Sequence, residues 1–300
     1  MAEGRRYWRA FAYQALAGAA IAAALAYLAH NTAQNLQLRG IPSGFDFLLQ
    51  AAGFDIGDSL VSFSAGEPYW QALLAGLANT LRVALPAIVL TTLLGTTLGL
   101  GRLSTNDLLA GLCGAYVEVF RNIPLLLQLL AWYFVLTDLL PPFDDAWRLG
   151  GTATLSKSGL SLFGASLTPE FLAVLFGLVF YSAAYMAEIV RAGFGAVPRS
   201  QTEAAAALGM AGRDIQLQVV LPQALRLIMP AAANQFLSLT KNSSLAIAVG
   251  YPDLVSVANT TLNQTGRALE CVSLIMGVYL ALSLATAIAM RLIERRLAWP

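Results

Sequence analysis

Ionisable side chains are scarce in this chain, and those that fall within or beside its long uncharged runs are where chemistry is to be sought. Glu118 and Arg121 lie three residues apart, a spacing that puts both on one helix face and lets them pair; Glu188 and Arg191 repeat it. Lys241 stands inside an apolar stretch beside Asn242, Ser243 and Ser244. A charge at hydrocarbon depth costs at least about 2.5–3.5 kcal/mol on insertion scales, so such residues are functional candidates by default. Their chemistry is ionic recognition: carboxylates accept from a cation, while Lys, Arg, amide and hydroxyl groups donate to an anion. The competing reading is structural, with Glu/Arg pairs near inner helix ends and the arginines snorkelling to water. Gln128, Tyr181 and Tyr185 line a path between these groups or belong to the core. Pro124 and Pro230 each free a backbone carbonyl, as happens beside cavities, or else mark a helix start and a packed kink.

The elements that must position these groups follow from composition. The 300 residues are 57% hydrophobic and 12% charged, with net charge +1. Soluble domains carry about 25% charge, so much of this surface faces something other than water. Near-neutrality removes the basic field that nucleic-acid binding needs, and the hydrophobicity excludes disorder. Cys113 and Cys271 both lie in apolar stretches, which rules out a disulfide scaffold and a zinc site. His30 is the single histidine, and no G-x-S-x-G surrounds a serine, so a serine–histidine hydrolase has no support. No G-x-x-x-x-G-K-[ST] phosphate loop occurs either.

A membrane crossing needs roughly 20 apolar residues. Uncharged runs at 10–29, 83–101, 122–137, 171–187, 227–240 and 272–290 predict an all-α polytopic membrane protein of about six spans. The third lengthens if 116–121 joins the same helix, and the fifth continues past Lys241. Arg5-Arg6 before the first run could open a signal peptide, but the run is too long for one and predicts a retained helix. Basic residues mark cytoplasmic segments. Arg5, Arg6, Arg9, Arg102, Arg191, Arg199, Arg213, Arg226, Arg291, Arg295 and Arg296 fall on one side, with most acids opposite. Both termini are therefore expected inside. Residues 31–70 form an outer segment whose apolar patches suit a short helix against the membrane; 138–170 form a second, rich in Gly and Ser.

The inner connection, 191–226, is the most informative. Ser200 with Glu203 three residues on predicts a capping box. The helix should run over 201–208, with Gly209 as a left-handed terminator. A second helix over 213–220 should stop at Leu221-Pro222. The alanines at 204–207 give the first helix a smooth flank. Glu203-Ala204-Ala205, then Gly209, Val219 and Leu221-Pro222, resemble the EAA motif of ABC importer permeases, with Val219 where Ile is usual. Residues 116–130 (YVEVFRNIPLLLQLL) resemble the signature of the histidine-permease-like polar amino-acid branch. Asn122-Ile123 there, where Gly-Thr is common, resembles the longer permease subunit of general L-amino-acid transporters. Further matches are 185–191, 239–245, 250–254 and 263–270.

The resemblance implies a type I ABC importer permease fold. Residues 1–70 would hold the tail, first helix and outer segment, and 71–300 the permease core with its coupling loop. It makes Glu203, Ala204, Ala205 and Gly209 contacts to a cytoplasmic ATPase dimer, and the chain a non-catalytic permease. No cofactor would be bound here; ATP and Mg would sit at the ATPase. A second related permease subunit, an extracytoplasmic binding protein and an L-amino acid would complete a bacterial inner-membrane assembly. An amino acid presents an ammonium and a carboxylate. Glu188 or Glu118 would take the first, and Lys241, Arg121 or the Asn242–Ser244 groups the second, with Gln128 and Tyr185 along the path. An ion-coupled secondary transporter is the rival reading.

Overall fold

In hydrocarbon a backbone must satisfy its own N–H and C=O groups, and helices do so within one segment. The computed structural model describes residues 2–40, 43–149 and 152–297. The side chains of Arg5, Arg6, Arg9 and Arg296, counted above toward the inner charge, lie outside the described residues. Ten α-helices are described: α1 (Ala2–Leu38), α2 (Tyr69–Gly101), α3 (Asp107–Asn122), α4 (Leu125–Phe134), α5 (Pro169–Gly195), α6 (Arg199–Ala207), α7 (Gly212–Asp214), α8 (Leu221–Asn242), α9 (Leu254–Thr265) and α10 (Ala268–Leu297). Five helical stretches are long and apolar enough to cross a membrane, and the bent pair α3–α4 makes a sixth if its halves count as one crossing. On α10, Met276, Leu280, Leu284, Ile288 and Leu292 repeat every fourth residue and are all exposed, a row suited to lipid.

The third crossing departs from expectation. Residues 116–121 do not join 122–137 in one helix; α3 and α4 meet at 101°. Pro124 crowds the residue before it out of the helical region, and Ile123 is extended at φ −95°, ψ 125°. Pro124 becomes the cap of α4, whereas Pro230 and Pro86 sit inside unbroken helices. Asn106 starts α3 by accepting from the Leu108 and Leu109 N–H groups, and Thr168 starts α5 by accepting from Phe171 N–H.

The central seam joins α2 and α5. A Cβ on Gly95 would lie 2.5 Å from Met186 Cβ, and one on Gly99 would lie 2.7 Å from the Ala187 carbonyl. Small residues let helices approach closely where no hydrophobic force drives them together. Around this seam pack Val83, Ala87, Leu129, Val174, Leu178 and Leu239, all buried.

The outer face is more elaborate than expected. The short 3₁₀ helix Asp46–Leu49 does form, with Phe47 packed on protein and Leu49 exposed. Phe47 is 1% exposed and meets Tyr69 edge-on at 5.8 Å, in one cluster with Val257 and Cys271. Arg267 fastens this loop by donating to Asp46 and to the Gly44 carbonyl. The helical expectation holds, with one small sheet added. Four short strands, β1 (Trp147–Leu149), β2 (Ala153–Ser156), β3 (Gly159–Leu162) and β4 (Ala165–Leu167), form an antiparallel meander in chain order. Its last hairpin turns through Phe163 and Gly164, both at positive φ (50° and 86°), the geometry that matches strand twist across a two-residue loop.

Asp253 caps α9 between crossings, accepting from Ser256 N–H at 2.9 Å and facing the Tyr279 hydroxyl at 3.5 Å. It is fully buried, and desolvation raises its carboxyl from the usual range to about 7. The folded chain thus keeps a proton that the unfolded chain releases above about pH 4. The stability from this group is complete below that pH and is lost as pH rises through 7. Asp253→Asn keeps a capping side chain and removes the titration. The variant's thermal unfolding in detergent should vary less between pH 4 and 7 than the wild type's, and its midpoint at pH 8 should be the higher of the two.

Candidate functional site

Two features share one end of the molecule, an exposed short helix and a polar cavity. The helix is α6, and its start differs from the sequence expectation. Pro198 is the cap residue, extended at φ −62°, ψ 136°, and no side chain caps the helix. Ser200 is therefore already inside α6, and the expected capping box with Glu203 does not form. The C-terminus matches expectation: Gly209 is left-handed at φ 80°. Met210 N–H donates to the Ala205 carbonyl (3.2 Å) and Gly209 N–H to that of Ala206 (2.9 Å), the paired bonds of a Schellman end. Beyond it the chain does not stop at Leu221-Pro222. α7 runs through a wide π turn, Ile215–Val220, straight into α8. Pro222 falls in the first turn of α8, where a missing N–H costs little.

Glu203, Ala204 and Gly209 are exposed, but Ala205 is not. It is 5% exposed and shares a buried cluster with Met186, Val190, Val197, Ile215 and Ile228. Its methyl group seats α6 on the protein, so the flank of alanines is outward only in part. Leu208, 84% exposed at the tip, is a surface residue that the sequence reading passes over. A signal exists, since an apolar residue next to a helix-ending glycine cannot fold back onto its own short helix.

The cavity, about 510 Å³, is walled by Arg102, Glu118, Arg121, Asn122, Tyr185 and Glu188. Four of these, Glu118, Arg121, Tyr185 and Glu188, are candidates on sequence grounds. Glu188 pairs with Arg191 as its spacing suggests, and also with Arg102 at the end of α2, a partner 86 residues away that no local pattern indicates. The expected Glu118–Arg121 pair does not form. Arg121 instead lies over the Tyr185 ring, 5.0 Å from its centre, a cation–π contact. Tyr181 holds that ring by donating its hydroxyl hydrogen to the Tyr185 oxygen at 3.2 Å. The Glu118 carboxylate is exposed to the cavity and has no ion pair or hydrogen bond among the described residues.

The remaining candidates lie elsewhere. Gln128 is buried, and its amide donates to the Phe120 and Ile123 carbonyls, both at 2.9 Å. These carbonyls flank the break that Pro124 imposes, so Gln128 repairs the backbone. Lys241 is exposed near the end of α8; Ser243 is buried and donates to the Thr240 carbonyl at 2.7 Å; Asn242 precedes a 3₁₀ turn, Ser243–Val249. None of the three lines the cavity. Gln128→Leu leaves two carbonyls without donors, each worth about 1–3 kcal/mol when buried. Denaturant titration in detergent should register a loss on the order of 2 kcal/mol; an unchanged midpoint would remove Gln128 from this role.

Comparison with known proteins gives the family and the fold. Residues 91–299 match the family described as binding-protein-dependent transport system inner membrane component. The general L-amino acid transport system permease protein AapQ of Rhizobium johnstonii is 36% identical over 97% of this chain and 92% of its own length. The putative amino-acid ABC transporter permease protein YhdX of Escherichia coli is 37% identical over 97% and 94%. The glutamate/glutamine/aspartate/asparagine transport system permease protein BztB of Rhodobacter capsulatus is 32% identical over 91% and 90%. Among solved structures, an amino acid ABC transporter crystallised with histidines superposes with a TM-score of 0.60 at 30% identity, covering 76% of this chain and 95% of that one. The inward-facing MetNI methionine ABC transporter, at 21% identity and a TM-score of 0.58 over 77% and 98%, shares the fold. The architecture is that of the type I ABC importer permeases. The chain belongs to the binding-protein-dependent transport system inner membrane components, the permease subunits of ABC transporters.

Proposed function

We propose that this permease forms part of the membrane path of an ATP-driven importer for L-amino acids in a bacterial inner membrane, with both termini cytoplasmic. Its partners are a second, related permease, a cytoplasmic ATPase pair that binds ATP and Mg, and an external amino-acid-binding protein. The amino-acid transport named for the relatives supports the substrate class, and the bias of arginines toward one side supports the orientation. Hydrolysis belongs to the partner, since this chain carries no phosphate loop. The ion-coupled alternative loses its ground to the ABC family membership.

One observation carries the proposal. α5 bears Tyr185 and Glu188 on the cavity wall and, four residues after Gly195, gives way to α6. The joint between them is a single buried cluster in which Val197 and Ala205 meet Met186, Val190 and Ile215. Close-packed clusters transmit displacement rather than absorb it. A groove on the ATPase that grips Glu203, Ala204, Leu208 and Gly209 would thereby move the cavity wall and bias the helices between inward- and outward-facing packings.

The cavity's ionic groups divide by how far they are already occupied. Glu188 is held by two arginines and acts as their positioner. Glu118 and Arg121 remain, one carboxylate and one guanidinium, suited to the ammonium and carboxylate of a zwitterion. The test uses vesicles reconstituted with the permease pair and its ATPase. Leu208→Asp and Gly209→Val should abolish ATP-driven uptake with the subunit still inserted. Glu118→Gln and Arg121→Gln should each raise KM by about tenfold, the effect of 1.4 kcal/mol, without changing basal ATP hydrolysis. Uptake that persists without the ATPase, or an unchanged KM in both cavity variants, would defeat the proposal.

A further inference from the structure

A second cleft, of about 470 Å³, has the opposite character. It lies between α2, α8 and α10 with α5 as its floor. Leu, Ile, Val, Met and Phe line it, and its polar lining among the described residues is Thr92 and Thr96. The Thr92 hydroxyl already donates to the Ile88 carbonyl at 2.8 Å. Nothing here can hold the charged ends of an amino acid, so the cleft is not a route for that solute. It is open at its side, where Val89 and Leu93 are 57% and 61% exposed.

Three features of the cleft identify its occupant. Along α2 the lining runs from Ile88 to Leu100, twelve residues on, or about 18 Å at helical rise. That is close to half of the roughly 30 Å hydrocarbon core, the depth of one leaflet. A packed helix needs small residues at its docking surface, and this lining has no glycine and one alanine, Ala232. Met186, Met229 and Met290 are flexible and conform to an irregular guest. At the inner end, where α2 and α10 finish and α8 begins, Arg226, Arg291 and Arg295 are exposed and Glu294 is half-buried.

We propose that the cleft holds one acyl chain of an anionic phospholipid, with the headgroup phosphate at the level of these arginines. Basic residues at the cytoplasmic ends of membrane helices recognise such headgroups. The bound chain fills the space between α2 on one side and α8 and α10 on the other, bracing the seam from the face opposite the polar cavity. Assignment to the inner leaflet rests on the orientation proposed above; the cleft and its lipid chemistry do not.

The test takes the full chain, purified with its partner permease and ATPase in mild detergent, and counts retained lipid by native mass spectrometry. The probes are palmitoyl-oleoyl phosphatidylglycerol and the phosphatidylcholine with the same two chains. Wild type should retain one phosphatidylglycerol, with phosphatidylcholine held at least about tenfold more weakly, a difference of 1.4 kcal/mol. Ala232→Phe, which fills the cleft, and the double variant Arg291→Gln/Arg295→Gln, which leaves helix packing untouched, should each lose that retention. Equal retention of the two lipids by wild type, or unchanged retention in the double variant, overturns the proposal. So does a crosslink from Met229→Cys into a helix of the partner permease, which would put protein in the cleft. An impermeant maleimide that labels Arg291→Cys from outside sealed vesicles would overturn the inner-leaflet assignment and the orientation together, while lipid retention decides the occupant of the cleft separately.

Discussion

Everything at the polar-cavity end of this permease hangs from the seam where α2 presents glycines to α5. Gly95 and Gly99 supply the missing bulk, and Met186, Ala187 and Val190 fill it. The seam brings Arg102, at the end of α2, to Glu188 on α5, closing an ion triad with Arg191. It also leaves α5 with two differently coloured faces. Tyr185 and Glu188 look into the polar cavity, while Met186, Val190 and Phe194 form the floor of the apolar cleft. One helix therefore separates a polar cavity from an apolar cleft.

The same helix leads to α6. α6 is seated through Ala205, whose small side chain reaches the buried cluster under α5 and α8. A larger residue would lift α6 off that cluster. A short motif is therefore divided between two faces. Glu203, Ala204 and Gly209 are exposed, and the buried Ala205 ties α6 to the spans.

Much of this architecture is legible in the chain itself. Uncharged runs give the crossings because hydrocarbon imposes a length, and Gly209 gives the turn because it can adopt positive φ at no cost. What stays illegible are choices between near-equal local options. Ser200 is a good cap, but Pro198 starts the helix earlier. Pro222 should end a helix, but a π turn just before it lets the ring fall in a tolerant position. Glu118 and Arg121 have the spacing of a pair, and Tyr185 takes the guanidinium from a different helix. The Arg102–Glu188 contact spans 86 residues and has no local signature at all. Gln128, Lys241, Asn242 and Ser243 are drawn by residue type toward a cavity from which the α3–α4 break and the end of α8 keep them away.

The outer lid has a consequence for how the polypeptide is made. Phe47, Tyr69 and Cys271 occupy one buried pocket, and Arg267 holds the loop at Gly44 across a separation of 223 residues. Contacts so distant along the chain are slow to form, because a long segment must be organised before they are rewarded. The early loop therefore waits on chain that is made more than 200 residues later. Until α10 has entered the bilayer, Phe47 has no finished pocket to enter, and the loop settles only after that crossing is in place.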